Sequence, residues 1–534
     1  MQDDRQVAAD EGTGDQGHPV SNAGVWRPGL REHRRREDLC GEGGDVDRIE
    51  SFGLTLVVVA VVVTLALLSN RVSARLRVPA PAFFLVAAAV ASDLVPSLRQ
   101  VSLGAVEDVV TVALVVILFD GGMAIGARRL RDVLGTVLSV GVLGTFLTAG
   151  LLACAAHLLF GLPWLVALLL GAALAPTDPA VVFSVLGNRE VTGRAGTIIQ
   201  GESGANDPVG IALLLSLLTI APGDGFGGAS ADVLGQFAGE MGIGAAVGLA
   251  GGWGLRWLLR RVGMPSEGLY PLRTLALSFL LYGAATVAHG SGFLAVFVAG
   301  VLVGDVAAPF KREIERFHSS LASLAEIVAF VVLGLTVSVS ALVTTDAWWI
   351  GLVLAVVLTF VVRPLVVGPL LLRTRMPRGE KVFVLWSGLK GAVPILLGTY
   401  ILAADQAQDV LVYEVIFVVV LFSVLVQGGL MPLVASRCAV RMREVEPQPW
   451  AVGVRVREEP GGARRLRVGP EAPAVGKSVK DLHLGDEMWI SLVVRDGRPL
   501  RVRADLELES GDEVLVLTDP DCERDPTTIF TNGA

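Results

Sequence analysis

The stretch Ala175-Pro176-Thr177-Asp178-Pro179 interrupts an apolar run from Trp164 to Leu186. About twenty-five residues later, Gly201-Glu202-Ser203-Gly204-Ala205-Asn206-Asp207-Pro208 sits in a second run that ends near Ile220. Both runs are long enough to cross a bilayer. An ionisable side chain at membrane depth is costly and is usually kept for function. Three carboxylates, Asp178, Glu202 and Asp207, fall on these two consecutive runs, so the rest of the chain is read as a frame that holds them near the midplane.

The composition supports that frame. The chain has 534 residues, 52% hydrophobic and 18% charged, with a mean hydropathy of +0.62. Repeated apolar runs, among them Val133–Phe160 and Ile350–Leu372, argue for an all-α polytopic membrane protein. The charges lie in short loops and at the two ends, so the net charge of −8 points to no nucleic-acid partner. Cys40, Cys154, Cys438 and Cys522 have neither metal-ligand spacing nor a pairing logic, and neither a disulfide nor zinc is expected. Residues 1–47 are polar and lack an apolar core, so they are not a signal peptide and are expected to be a disordered extension. Val46-Asp47-Arg48 leads straight into the first run and would itself make a sensible N-terminus.

Thirteen crossings are expected, at 51–69, 80–97, 106–122, 133–160, 163–187, 196–221, 233–259, 270–290, 292–308, 323–342, 347–372, 381–403 and 408–436. Every odd loop is basic: Arg71, Arg75 and Arg77; Arg128, Arg129 and Arg131; Arg189 and Arg194; Arg256, Arg260 and Arg261; Lys311, Arg312 and Arg316; Arg373, Arg375, Arg378 and Lys381; Arg437, Arg441 and Arg443. The even loops have almost no Lys or Arg. The positive-inside rule then places the N-terminus outside and the C-terminus in the cytoplasm of a plasma membrane. The cluster Arg31–Arg36 goes against this pattern.

Two crossings carry helix breaks at depth. The fifth holds 175–179, and the twelfth holds Gly388-Leu389-Lys390-Gly391-Ala392-Val393-Pro394. They are seven crossings apart and run in opposite directions, the arrangement of inverted repeats with two broken helices at a central site. Freed carbonyls and half-helix ends can bind ions there. On the sixth crossing Ser203 and Asp207 share a helix face, and Glu202 and Asn206 share the next. Asp207 lies about 13 residues, roughly 20 Å, from the basic edge at Arg194, and Asp178 about 15 Å from its own. Arg363, before Pro364 in an apolar run, needs an anion, and Glu202 is the natural one. Lys390 is a second buried cation.

After Glu444 the apolar runs end. Arg464–Val468, Met488–Val494, Leu500–Ala504 and Glu513–Thr518 alternate like strands, Arg495-Asp496-Gly497-Arg498 reads as a hairpin turn, and Val475–Leu482 as a short helix entry. The expected organisation is an extension (1–47), a transmembrane domain (48–440), a linker (441–458) and a small cytoplasmic α+β domain (459–534).

A small monovalent cation wants hard oxygen ligands, and Asp207, Ser203, Glu202 and the Thr177 carbonyl can supply them. A carboxyl removed from water favours its protonated form, so the same oxygens can hold a proton or a cation. That competition suffices for antiport if the empty site cannot cross. Asn206 beside Asp207 leaves one titrating carboxylate at this step, and with Glu202 held by Arg363 the simplest exchange is one proton for one cation.

The Thr-Asp-Pro break, the Glu-Ser-x-x-Asn-Asp helix, the buried Arg before Pro and the Gly-Leu-Lys-Gly-Ala-x-Pro break, with Phe119-Asp120-Gly121-Gly122, together resemble the monovalent cation:proton antiporters of the NhaP and sodium/proton exchanger superfamily. The resemblance covers 49–437. It implies a homodimer, thirteen spans, and a moving core domain beside a dimerisation domain. It implies Asp207 as transport carboxylate, with Ser203, Glu202 and the Thr177 backbone completing the site. Asn206 and Asp178 then brace the crossing, and Arg363 pairs with Glu202. Lys390 stands where the bacterial branch usually has Arg. The C-terminal segment is similar to the C-terminal lobe of RCK (TrkA-C type) domains, through Lys477–Leu482, the Val-Val-Arg-Asp-Gly hairpin and Gly511-Asp512-Glu513-Val514. Such lobes often bind a small regulatory ligand, and by analogy they favour potassium over sodium.

Blander readings belong beside these. Asp207 and Glu202 can be read as members of a buried structural network. Asp178 is read as a half-helix cap rather than an ion ligand, and Asp120 as a funnel residue or cap. Glu326 and Asp305 are expected near wet span ends, and His157 and His289 without visible partners. The function read from the chain is exchange of K+, or Na+, for H+ without a cofactor. A channel or sensor built on the RCK-like lobe is the reading from another class, but no channel filter sequence is present. With no nucleophile–base or metal motif, an enzyme is not expected.

Overall fold

The computed structural model describes residues 80–95, 98, 101–186, 189–220, 226–404, 408–444, 463–485, 488–496, 498–518 and 525–531, with Gly53 and Thr64 as isolated positions. The N-terminal extension, all but those two residues of the first expected span, Arg71, Arg75, Arg77, Cys40, Cys522 and linker residues 445–458 lie outside the described residues. The elements below belong to the unit Asn70–Ala534.

Helices dominate up to Arg437. In order they are α1 (Ala80–Leu94), α2 (Leu103–Ile125), α3 (Ala127–Phe160), α4 (Trp164–Leu174), α5 (Pro179–Leu186), α6 (Arg194–Leu218), α7 (Phe226–Arg261), α8 (Leu269–Val287), α9 (Gly292–Gly304), α10 (Lys311–Leu335), α11 (Val339–Thr344), α12 (Ala347–Leu372), α13 (Arg378–Trp386), α14 (Ala392–Ala403), α15 (Asp409–Gly428) and α16 (Met431–Arg437). Among the described residues, seven helical stretches are long and apolar enough to cross a membrane, the interrupted α4–α5 stretch being one. Trp253, Trp257, Leu280, Phe360 and Leu365 are exposed, as suits faces that meet lipid rather than water.

Both expected breaks are present. The chain leaves the helical path between Leu174 and Pro179, where Pro176 and Pro179 cannot continue the backbone ladder, and between Trp386 and Ala392, where Gly388 and Gly391 flank Lys390. Among the described residues, three long helices carry π-helical turns that sequence periodicity does not announce: Ser139–Leu143 in α3, Leu358–Val362 in α12 and Ser423–Gly428 in α15. Such turns shift side-chain direction along a helix and cluster at functional sites.

Some boundaries differ from expectation. The tenth crossing does not begin at 323. It starts at Lys311, supported by the Lys311–Glu315 pair one turn apart, and stops at Leu335. Ser338 then caps a separate short helix, α11, by accepting the Ala341 N–H. The thirteenth is divided at Gly429-Leu430 into α15 and α16. Asp305 is not simply wet, because its carboxylate accepts the Arg128 N–H at 2.6 Å and caps the start of α3.

Among the described residues, six strands form two sheets. β1 (Arg189–Val191), between α5 and α6, pairs antiparallel with β2 (Met442–Glu444) just after α16. The pair is extended where Thr192 N–H and Oγ1 donate to the Arg441 carbonyl. The loop joining the two site-bearing helices is thus tied to the segment that leads toward the C-terminal domain, a link that three-residue strands do not reveal in sequence.

The C-terminal domain is a four-stranded antiparallel sheet of β3 (Ala463–Arg467), β4 (Met488–Arg495), β5 (Arg498–Leu500) and β6 (Glu513–Thr518), ordered β3-β6-β4-β5. The expected strand over 500–504 is only Arg498–Leu500. Val468, Met488, Ile490, Val493, Leu508, Val514, Val516 and Phe530 form its core. Beneath the β4–β5 turn, Arg495 Nε and Nη2 each donate at 2.8 Å to the buried Asp512 carboxylate, and Arg495 also bonds Glu509. Desolvation works against the Asp512 anion. The Arg495 hydrogen bonds and the Glu509 N–H outweigh it and hold the carboxyl below its ordinary range.

A carboxylate held low contributes stability that is fully present above its unfolded pKa, near 4, and is lost as pH falls through the lower folded value. Arg495→Met should therefore lower the melting temperature of this domain in the full-length protein at pH 7. The gap from wild type should close as the pH drops below about 4.

Candidate ion-binding site

Two helices end and two begin at the crossing, and each end is met by a side chain of the opposite polarity. α4 stops with its last carbonyls free. Lys390 Nζ donates to the Ala175 and Pro176 carbonyls, both at 2.8 Å. α13 stops likewise, and Arg363 Nε donates to the Leu385 carbonyl at 2.7 Å and Nη2 to the Val384 carbonyl at 3.0 Å. The beginnings of α5 and α14 converge on one anion: the Asp178 carboxylate accepts the Ala180 N–H at 2.8 Å and also meets the Val181 and Ala392 N–H groups. Cations at carbonyl ends and an anion at amide ends match the partial charges of the half-helices. Asp178 N–H donates to the Leu389 carbonyl at 2.8 Å, joining the two non-helical segments directly.

This closeness explains two glycines of the second break. A Cβ on Gly391 would stand 1.7 Å from Asp178 Oδ2, and one on Gly388 would stand 2.0 Å from Arg363 Cζ. Neither the carboxylate nor the guanidinium can retreat without abandoning a helix end.

Arg363 follows directly on the π-turn of α12, and its remaining donors grip Glu202 of α6 in a fork, Nη1 to Oε1 at 2.8 Å and Nη2 to Oε2 at 3.1 Å. Both side chains are buried. The π-turn of α15 supplies Ser423, whose Oγ accepts the Lys390 N–H at 2.8 Å, and Gln427, which donates to the Trp386 carbonyl at 2.7 Å. Sequence reasoning passed over both, because nothing in the spacing of α15 marks them.

Asp207 stands apart from this bracing. It is buried on α6, and among the described residues the one side-chain hydrogen bond to its carboxylate is a long one from Ser203 Oγ to Oδ2, 3.4 Å. Its Oδ1 has no partner among the described residues, and neither does Asn206 Oδ1, whose Nδ2 donates to Thr177 Oγ1 at 2.7 Å. The structure therefore brings Asp207, Ser203, Asn206 and Thr177 together with under-used oxygens. It places Glu202, Arg363, Lys390 and Asp178 in tight, satisfied contacts.

A cavity of ≈ 400 Å³ reaches this point. Its lining includes Asp207, Ser203 and Gln200 of α6, Asp178 and Ser184 on the α5 side, Asp120 of α2, and Glu326 of α10. It follows α2, α5 and α6 toward their arginine-bearing loops. Glu326 is therefore not at a wet span end but on the cavity wall. The repeat of Ser319, Ser323 and Glu326 on one face of α10 was the signal that marked it.

Removing one partner of a buried ion pair leaves the other uncompensated, at a cost of about 3–5 kcal/mol. Arg363→Met should accordingly lower the melting temperature in detergent sharply, whereas Glu202→Leu with Arg363→Met should recover a substantial part of the loss.

The family model for the transmembrane sodium/hydrogen exchangers matches residues 57–437, and that for the TrkA-C domain matches 463–523. A K(+)/H(+) antiporter NhaP2 of Shewanella sp. (strain MR-4) is 32% identical over 487 residues, covering 89% of this chain and 82% of that protein. A K(+)/H(+) antiporter NhaP of Alkalimonas amylolytica is 31% identical over 493 residues, 91% of this chain and 85% of that one. Among solved structures, the sodium proton antiporter MjNhaP1 of Methanocaldococcus jannaschii superposes with a TM-score of 0.59 at 22% identity, covering 69% of this chain and 97% of its own.

Proposed function

The chain belongs to the sodium/hydrogen exchanger family, and we propose on that footing that it exchanges potassium for protons, one for one, through the Asp207 carboxylate. The observation that carries this is the charge balance of the crossing. Lys390 and Arg363 face Glu202, Asp178 and Asp207, and the first four are occupied with helix ends and with one another. With all five ionised, two cations and three carboxylates leave a single negative charge, and only Asp207 has an oxygen to spare. One proton or one monovalent cation neutralises it, and both cannot be held at once. Ser203, Asn206 and Thr177 offer further oxygens to a bare cation, and the empty site keeps an unneutralised charge that holds it back from crossing. Exchange is then electroneutral. Transport should depend steeply on pH, because a proton and a cation compete for the same oxygens.

Potassium is preferred over sodium because the Shewanella and Alkalimonas relatives are named as potassium/proton antiporters. Sodium is the second reading, favoured by the sodium proton antiporter of like fold. Lys390 meets the same carbonyl-end demand that an arginine would, as a point charge rather than a fork.

The rest of the proposal is architectural. The chain spans the plasma membrane thirteen times as a homodimer, with the N-terminus outside and the C-terminus in the cytoplasm. The cavity then faces the cytoplasm, since it leads to the arginine-bearing loops. The antiporter domain occupies 48–440 after the 1–47 extension. The 441–458 linker joins it to the 459–534 domain, which tunes exchange on binding a small ligand. The exchange serves pH homeostasis.

The test is dissipation of a pH gradient in everted vesicles on adding K+, Na+ or Li+. Wild type should respond to K+, and Asp207→Asn should fall to the background of empty vesicles. A larger response to Na+ than to K+ would leave the carboxylate in place and overturn the choice of ion.

A further inference from the structure

Glu326 and Asp120 are carboxylates at the cavity that the bracing of the crossing does not use and the proposed exchange does not yet involve, and of the two only Glu326 has a buried oxygen without a hydrogen-bond partner among the described residues. It stands on α10, which packs against α1, α2, α8 and α14. The charges at the crossing come from the α4–α5 break and from α6, α12 and the α13–α14 break. Glu326 therefore lines the same cavity as Asp178 and Asp207, from a helix that supplies none of the charges at the crossing. Its Oε1 is buried and has no hydrogen-bond partner among the described residues. A carboxylate kept to hold two helices together would normally show a donor on the second helix. The face that carries it is polar toward the cavity: Ser323 and Ser319 line it one and two turns earlier, and Phe330 lines it one turn later.

Among the described residues, no Lys or Arg lines the cavity beside Glu326. Lining the same cavity are Asp178, whose charge acts on it, and Asp207. From α2 comes Asp120, which lies under the influence of Glu315 and Lys311 on the early turns of α10. Glu107 and Asp108 of α2 are about 20 Å further along that helix, near Tyr400 of α14. On α1, Asp93 accepts from Ser338 and from the Ser340 N–H at the end of the helix. On α8, Arg273 donates to the Val262 carbonyl beyond its own helix start, and Tyr282 lies further along. Within α10, His318 is two turns away, bonded to the Ile314 carbonyl and set against Phe119. Carboxylates that share one cavity with no cation between them repel, and a mobile cation or a proton relieves the repulsion.

We propose that Glu326 is a second ion-handling carboxylate of the exchange, which takes the cation or proton on its way between the arginine-bearing face and Asp207. It rests on the antiport reading and deepens it, and it holds for potassium or sodium alike. Ser323 and Ser319 hydrate or ligate the ion on the same wall. Because Asp207 still performs the competition, exchange stays one for one. Glu326 sets the affinity for the incoming cation, and it does so only while it is ionised.

The test compares wild type, Glu326→Gln and Glu326→Asp in everted vesicles, titrating the cation at fixed pH values from 6.5 to 8.5, at equal amounts of protein in the membrane. For Glu326→Gln, the apparent KM for the cation should rise about tenfold at the alkaline end with kcat within about twofold of wild type. The difference should narrow toward the acid end, where protons compete with the cation for the wild-type carboxylate. Glu326→Asp keeps the charge and should recover most of the affinity. It also carries the test if the glutamine variant does not accumulate, since a retracted carboxylate should still raise KM at alkaline pH more than at acid pH. Coincident KM values for wild type and both variants at every pH would overturn the proposal. So would a kcat loss of equal size at every pH with KM unchanged, which is the mark of a structural residue. The Asp207 reading fails separately: an active Asp207→Asn would remove the central site, while the Glu326 comparison would still be decided against wild type.

Discussion

A helix that stops inside a bilayer leaves its last carbonyls and first amides without partners, and lipid supplies none. Two helices stop here, at Leu174 and Trp386, and two begin, at Pro179 and Ala392. Everything around the crossing answers that demand. Lys390 takes the carbonyl end of α4, Arg363 takes that of α13, and Asp178 takes the amide ends of α5 and α14. Bringing two cations and one anion to this depth then requires a further anion, and Glu202 meets it in the fork from Arg363. What remains when those demands are met is Asp207, with Ser203 beside it and an oxygen that has no partner among the described residues, and this is the site we propose for the transported charge.

The same constraint explains how much could be read in advance. Prolines, glycines and buried charges are conspicuous in apolar runs, so both breaks, the Glu202–Arg363 pair and the Ser203–Asp207 face were legible from residue types and spacing. The π-turns were not. Their residues are ordinary (Ser-Val-Gly-Val-Leu in α3, Leu-Thr-Phe-Val-Val in α12), and an extra residue per turn leaves no mark on hydrophobic periodicity. Ser423 and Gln427, which reach the crossing from such a turn, were hidden for that reason. Glu326 was misjudged because α10 was started twelve residues late. A start at Lys311 puts Ser319, Ser323 and Glu326 on one face, and the glutamate falls in the middle of the helix rather than near its end.

The β1–β2 pair was also hidden, since three-residue strands 250 residues apart have no sequence signature. It gives the segment after α16 a backbone grip on the loop between α5, which Asp178 immediately precedes, and α6, which carries Asp207. A pull on that segment would reach the site through one short loop. The C-terminal sheet itself was legible because its strands alternate; the shortened β5 shows where the alternation of 500–504 failed to find a partner strand.

The central claim is that one carboxylate holds either a proton or a monovalent cation. Its most direct test is the release of protons into a weakly buffered solution when K+ is added to the purified protein. Close to one proton should leave per cation bound, and Asp207→Asn should release none. Cation binding without proton release, or release that survives in Asp207→Asn, would contradict competition at Asp207.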